Sequence, residues 1–273
     1  MPLGVGLIGC GAIGTVLAHA IDEGQAGDAC LAIVYDIKAE RAEFLSRELK
    51  RKPKIAESFK EFVQCKGVEL VVEAASQEAV RAYAAQVLKA EKDLMIMSVG
   101  ALVDPKLASE ICRVAKEKGR RVYIPSGAIA GLDGVKASSI GRVEKVTLIT
   151  RKPLRSLEEN SYFRERFGGK IEGPTLIYEG PAVEACKLFP ANVNVAAALG
   201  LAGVGAEKTM VRIIADPSLD RNIHEIEVMG EFGELKVCVR NVPSASNPKT
   251  SYLAALSAIA TLRKITEPLV VGT

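Results

Sequence analysis

Three glycines, in the order Gly9-Cys10-Gly11-Ala12-Ile13-Gly14, are the first residues whose spacing could do chemistry. They stand between an apolar run, Leu3 to Ile8, and a segment of helical period, Ala12 to Glu23. In a strand–turn–helix, the first glycine permits the tight turn, the second lets backbone approach a pyrophosphate, and the third packs helix on strand. The helix N-terminus, with the N–H groups of Ala12, Ile13 and Gly14, then offers unpaired donors and a positive dipole end to phosphate. A ligand-free glycine turn is the plainer reading, and the flanking strand and helix argue against it. Asp36 closes the second apolar run, 22 residues after Gly14. A carboxylate there accepts hydrogen bonds from both adenosine ribose hydroxyls and repels a 2′-phosphate, so NAD is favoured and NADP is the alternative. Lys38 and Arg41 follow closely and could serve a phosphate, while Asp36 could also be a simple turn or helix-start residue.

Further chemistry is sparser. The chain has two histidines, His19 and His224. His19 sits on the flank of the helix after the glycine loop, where a structural role is expected. In Asn222 to Val228 the strand period puts His224, Ile226 and Val228 on one face, so the imidazole points to a covered surface. That is either a satisfied core histidine or a group poised to titrate in a cleft. Ala74-Ala75-Ser76 and Ser98-Val99-Gly100 end two further strands. Small residues at a sheet's carboxyl edge let ligands lie against backbone, although ordinary turn chemistry also explains them. Phe189-Pro190-Ala191-Asn192-Val193-Asn194 opens an apolar helix, with Asn192 or Asn194 as its N-cap and the other amide available to a ligand. The loop Ser126-Gly127-Ala128-Ile129-Ala130-Gly131 is built for close backbone approach or for a hinge.

The elements that must position these groups fall into two series. Up to Pro125, apolar runs (Leu3 to Ile8, Cys30 to Tyr35, Val68 to Glu73, Leu94 to Ser98, Arg121 to Ile124) alternate with helical segments (Ala12 to Glu23, Ala39 to Lys50, Gln77 to Lys89, Pro105 to Lys118). That alternation predicts an α/β, Rossmann-type doubly wound parallel sheet. Beyond Pro125 the strands Val143 to Thr150, Thr175 to Tyr178, Thr209 to Ala215, Asn222 to Val228 and Leu235 to Val239 predict a second α+β domain with a mainly antiparallel sheet. Ala182 to Phe189 and Asn194 to Gly203 interrupt it as helices. A final helix, Ser251 to Lys264, carries Leu253, Leu256, Ile259, Ala260 and Leu262 and is expected to return to the first domain. The expected domains are 1–125 with 245–273, binding dinucleotide, and 126–244, carrying catalysis and dimerisation. Arg155 to Gly173 has no clear period.

Bulk composition narrows the function classes. With 273 residues and 48% apolar content the chain can bury two modest cores. A net charge of +3 without a long basic block argues against nucleic acid. No apolar stretch reaches the roughly 20 residues that span a bilayer, and no basic-then-apolar leader is visible, so a cytoplasmic protein with no membrane partner is expected. Six scattered cysteines without a C-x-x-C pair, and only two histidines, predict reduced thiols and no metal site.

These segments together resemble the L-aspartate dehydrogenases. The matching stretches are the glycine loop, Ser98-Val99-Gly100-Ala101, Pro125-Ser126-Gly127-Ala128-Ile129-Ala130-Gly131-Leu132-Asp133, Phe189 to Ala197, Asn222-Ile223-His224 and Asn247-Pro248-Lys249-Thr250-Ser251. The resemblance implies NAD(P)-dependent oxidation of L-aspartate to iminoaspartate, or amination of oxaloacetate with ammonia in reverse, feeding NAD biosynthesis. It places the catalytic histidine on His224 and nicotinamide-side contacts on Ala128 and Asn194, and it implies a homodimer joined through the second domain's sheet. A dicarboxylate substrate needs cationic donors, and Arg151, Lys152, Lys187 and Lys249 remain unranked. The rival readings are a related two-domain reductase such as dihydrodipicolinate reductase, a sugar oxidoreductase, and a non-catalytic NAD-binding protein. Sugar enzymes of this architecture place Glu-Lys-Pro where Ser98-Val99-Gly100 stands. A non-catalytic sensor would carry a DNA-binding helix pair or a basic face.

Overall fold

In the computed structural model, Met1–Pro125 and Ala255–Val271 pack as one unit, and Ser126–Ala254 with Gly272–Thr273 as another. Residues 1–168, 171–189, 193–244 and 251–273 are described here. The first unit holds β1 (Leu3–Ile8), α1 (Ala12–Asp22), β2 (Ala29–Tyr35), α2 (Ala39–Glu48), β3 (Lys54–Ile55), α3 (Phe59–Val63), β4 (Leu70–Glu73), α4 (Gln77–Lys89), β5 (Asp93–Ile96), α5 (Pro105–Lys118) and β6 (Val122–Tyr123). Every strand pair is parallel, in the order β3-β2-β1-β4-β5-β6. This is the doubly wound arrangement, in which strand order reverses beside β1 and opens a crevice at the carboxyl ends of β1 and β4. Buried strand residues such as Val5, Leu7, Val34 and Val72 pack against Leu17, Ala18 and Ile21 of α1. The opposite face covers Ile33, Val71 and Ile96 with Val80, Val87, Ile111 and Val114. β3 and α3 carried too few residues to register as a period.

The second unit runs α6 (Leu132–Ser138), β7 (Val143–Lys152), α7 (Ser161–Phe167), β8 (Thr175–Pro181), α8 (Ala182–Leu188), α9 (Asn194–Ala202), β9 (Thr209–Ala215), β10 (Ile223–Gly230) and β11 (Gly233–Arg240). Its sheet has the order β11-β10-β7-β9-β8. Three of its pairings are antiparallel and one, β7 with β9, is parallel. Thr209, Val211, Ile213 and Ala215 alternate as buried residues along β9, the period of a sheet with one covered face. α7 occupies the stretch that had no readable period; Asn160 Oδ1 caps it by accepting the Phe163 N–H at 2.9 Å. Among the described residues no helix is long and apolar enough to cross a membrane.

The last helix, α10 (Tyr252–Thr266), rejoins the first unit through Ala258, Ile259 and Leu262. Its buried line is Ala255, Ala258, Ile259 and Leu262, whereas Leu256 and Ala260 of the expected stripe are exposed. Two alanines on that line let the helix approach closely. The return begins at Ala255 rather than 245, because Ser251 is bridged to Pro243 and the Tyr252 N–H donates to Val242 O in the second unit. The turn expected at Asn247-Pro248-Lys249 lies outside the described residues.

Candidate active site

The glycine loop sits where β1 ends. Gly9 has φ +95°, and a Cβ there would stand 2.7 Å from Ala74 O, so only glycine fits between the β1 and β4 loops. A Cβ on Gly14 would meet Gly9 O at 2.0 Å. Gly11 differs: nothing lies within 4 Å of its Cβ position, so the fold itself leaves that space open. α1 begins just after it with no side-chain cap and no acidic residue in its first turn. A diphosphate fits this cradle of open space and uncapped N–H groups from Ala12, Ile13 and Gly14.

Asp36 lies at the end of β2 and holds the loop from the side. Its Oδ2 accepts the Cys10 N–H at 2.8 Å and its Oδ1 accepts the Lys38 N–H at 2.9 Å. A carboxylate offers about four acceptor sites, so two remain for ribose hydroxyls. The turn reading and the ribose reading are therefore compatible. Asp36, Tyr35, Ile37, Ala75, Ser76 and Tyr83 line a cleft of about 200 Å³. Ser76 also caps α4, its Oγ accepting the Ala79 N–H at 3.2 Å. Burial first, and Asp36 second, push the Cys10 thiol up to about 12, which makes it inert as a nucleophile.

Glu73 carries no signal in the sequence beyond its place at a strand end. Its buried carboxylate accepts the Ala75, Ser76 and Ser98 N–H groups at 2.8, 2.9 and 3.0 Å, and the Ser98 hydroxyl at 2.9 Å. Burial raises its pKa, and these four donors pull the other way. One side chain thus ties together the two small-residue loops that follow β4 and β5.

In the second unit His224 is 4% exposed on β10, on the buried side with Ile226 and Val228. It stands opposite Thr150 of β7, and Thr150 Oγ1 lies 3.0 Å from its Nδ1. The tautomer that donates Nδ1–H to Thr150 leaves the Nε2 lone pair open as a base. Burial, reinforced by the nearby Lys152 cation, lowers the imidazole to about 3, so it is neutral at physiological pH. Lys152, also buried, is lowered to about 8 by desolvation, and its Nζ is 3.5 Å from Asn222 Oδ1. Asn241, another residue without a sequence signal, is buried and donates from Nδ2 to Ala128 O at 3.0 Å. Its backbone N–H donates to Asn222 O at 2.9 Å. The fold thereby gathers Ala128, Asn222, His224, Lys152 and Asn241 around the start of β10.

Asn194 is the first residue of α9 and is not its cap: the cap position is Val193, with no side-chain hydrogen bond. Asn192, the other cap expectation, lies outside the described residues, as does Lys249. His19 is on the first unit's surface, 3.4 Å from Glu48. Among the described residues, no three His, Cys, Asp or Glu side chains gather as a metal would need.

Comparison with known proteins adds the family. Residues 133–265 match the model for aspartate dehydrogenase, C-terminal, and residues 9–125 match that for the homoserine dehydrogenase NAD binding domain. The chain is 50% identical to the L-aspartate dehydrogenase of Methanocella arvoryzae, covering 98% of this chain and 99% of that one. It is 45% identical to the L-aspartate dehydrogenase of Nitrosopumilus maritimus, over 95% of each. The crystal structure of aspartate dehydrogenase from Thermotoga maritima superposes with a TM-score of 0.77 at 30% identity, covering all of both chains. With near-complete coverage by relatives of this kind, and a cradle suited to a dinucleotide, the chain belongs to the L-aspartate dehydrogenase family.

Proposed function

We propose that the protein oxidises L-aspartate to iminoaspartate with NAD, and with NADP less readily. The observation that carries the mechanism is His224: a buried imidazole, held neutral, with Nδ1 3.0 Å from Thr150 Oγ1, so that the tautomer donating from Nδ1 keeps a lone pair on Nε2. When bound, the nicotinamide supplies the hydride acceptor. His224 takes the proton that the substrate ammonium must lose before its nitrogen lone pair can help expel hydride from the α-carbon. Gly9, Gly11, Ala12, Ile13 and Gly14 would hold the diphosphate and Asp36 the ribose, Ala75 and Ser76 would form the cleft wall, and Ala128 and Asn194 would serve the nicotinamide side. In reverse, oxaloacetate, ammonia and the reduced cofactor give aspartate, water and the oxidised cofactor, and the forward product, iminoaspartate, feeds NAD biosynthesis.

The six free cysteines fit a cytoplasmic enzyme. The sheet face opposite His224 carries Met229 and Arg212 and is assigned to a homodimer contact, which light scattering on the purified protein tests. For activity, purified protein is incubated with NAD or NADP and each common amino acid while reduced-cofactor absorbance is followed. Turnover of L-aspartate above all others is expected. Selective turnover of a different amino acid overturns the assignment.

A further inference from the structure

A proton-transferring imidazole does not by itself explain the polar groups beside it. Lys152 lies two residues beyond Thr150 on the same face of β7, about 7 Å along the strand from the histidine's partner. Its ammonium reaches Asn222 Oδ1 at 3.5 Å. Asn241 pairs with Asn222 through backbone, and the bond from its Nδ2 to Ala128 O fixes which way its amide points. Asn241 Oδ1 is left buried with no hydrogen-bond partner among the described residues. An orphaned buried acceptor is costly unless a ligand satisfies it. Among the described residues, the other two candidate cations fit less well. Arg151 points to the opposite face of β7 and pairs with Glu225 at 3.3 Å, and Lys187 is exposed on α8.

Building on the L-aspartate reading above, we propose that Lys152 and Asn241 read the two charges of the amino-acid substrate beside His224. The Lys152 ammonium takes a carboxylate, and Asn241 Oδ1 accepts an N–H from the α-amino group. A cation withdrawn from water attracts an anion more strongly than one on the surface. Burial has drawn Lys152 down to about 8, and an arriving carboxylate restores the full charge. An acceptor fixed beside that cation suits the ammonium end of the same molecule. The amine is thereby placed next to the base that deprotonates it.

The test uses the full chain loaded with NADH and titrated calorimetrically with succinate, a dicarboxylate without an amine, together with steady-state oxidation of L-aspartate. Lys152→Met is expected to weaken succinate binding and raise the KM for L-aspartate, each on the order of 10²-fold, with NADH affinity unchanged. Lys152→Arg recovers part of both. Asn241→Ala is expected to raise the KM for L-aspartate roughly tenfold and leave succinate binding in place, because succinate has no amine to lose. Succinate binding to Lys152→Met within about threefold of the unaltered protein overturns the role of Lys152. Equal weakening of succinate and L-aspartate by Asn241→Ala overturns that of Asn241. If the unaltered protein does not oxidise L-aspartate, the substrate assignment falls and this inference with it. If it does, and both variants match it, the inference alone falls.

Discussion

Replacing His224 with Asn separates a catalytic imidazole from a merely structural one, and the structure sets the size of each effect. At pH 7.5 the change removes the bond to Thr150 Oγ1 and leaves that buried hydroxyl short of a partner, a loss of about 1–3 kcal/mol. For a unit of this size that is a fall in Tm of roughly 3–10 °C. Acid reverses the balance. The folded imidazole stays neutral down to about pH 3. In the unfolded chain it takes a proton near pH 6.5. A depressed folded pKa gives stability that is present above 6.5 and lost as pH falls toward 3. Each pH unit in that window costs the native protein about 1.4 kcal/mol, so at pH 4.5 the penalty is roughly 3 kcal/mol. The variant has no such group and does not bear it. His224→Asn is therefore expected to melt below the native protein at pH 7.5 and at or above it at pH 4.5. Its kcat at pH 7.5 should drop on the order of 10²-fold or more, with NADH affinity retained. Thermal melts at the two pH values, paired with kcat per folded molecule, decide the matter. A Tm difference that does not change between pH 7.5 and 4.5 refutes the neutral buried imidazole. Near-normal kcat in folded variant refutes its role as the base.

Three further outcomes follow from the first unit. Asp36→Ala should weaken NAD and relatively favour NADP, and an unchanged ratio of kcat/KM for the two cofactors contradicts the ribose assignment. Absolute affinity for both should also fall, because the Cys10 N–H loses its acceptor. Glu73→Ala strips three backbone N–H groups of their partner and should cost about 3–6 kcal/mol in chemical denaturation, with the NAD Kd rising; a variant as stable as the native protein contradicts the tie between the two loops. Truncation after Val242 removes α10 and should abolish NADH binding, while Leu262→Ala, at a fully buried position, should cost about 2–5 kcal/mol; a truncated protein that binds NADH normally contradicts the packing.

Residues whose placement is set locally were legible in the sequence. The glycine loop, Asp36 at a strand end and the buried face of β10 all follow from periodicity and backbone sterics, which act within a few residues. Groups whose role depends on pairing between distant segments were not. Glu73 matters because Ser98, 25 positions away, donates to it twice. Asn241 matters because it bridges Ala128 and Asn222. Arg151 and Lys152 are adjacent in sequence, and only the register that sets Thr150 opposite His224 tells which of them faces the histidine. The parallel pairing of β7 with β9 was hidden for the same reason, since a strand's period is blind to its neighbour's direction. β3 was missed because two residues have no period at all.

The return of α10 to the first unit also bears on how the chain is made. Met1–Pro125 leaves the ribosome first, but its core is completed only by Ala258, Ile259 and Leu262. The whole second unit must be synthesised in between, which at 5–20 residues per second takes roughly 6–26 s. Throughout that interval the apolar cluster that Ala258, Ile259 and Leu262 complete, with Leu17 and Ile21 of α1 among its members, lacks part of its cover on a nascent protein. The dinucleotide fold is thus begun before the second unit and finished after it, and its closure waits until α10 has been made.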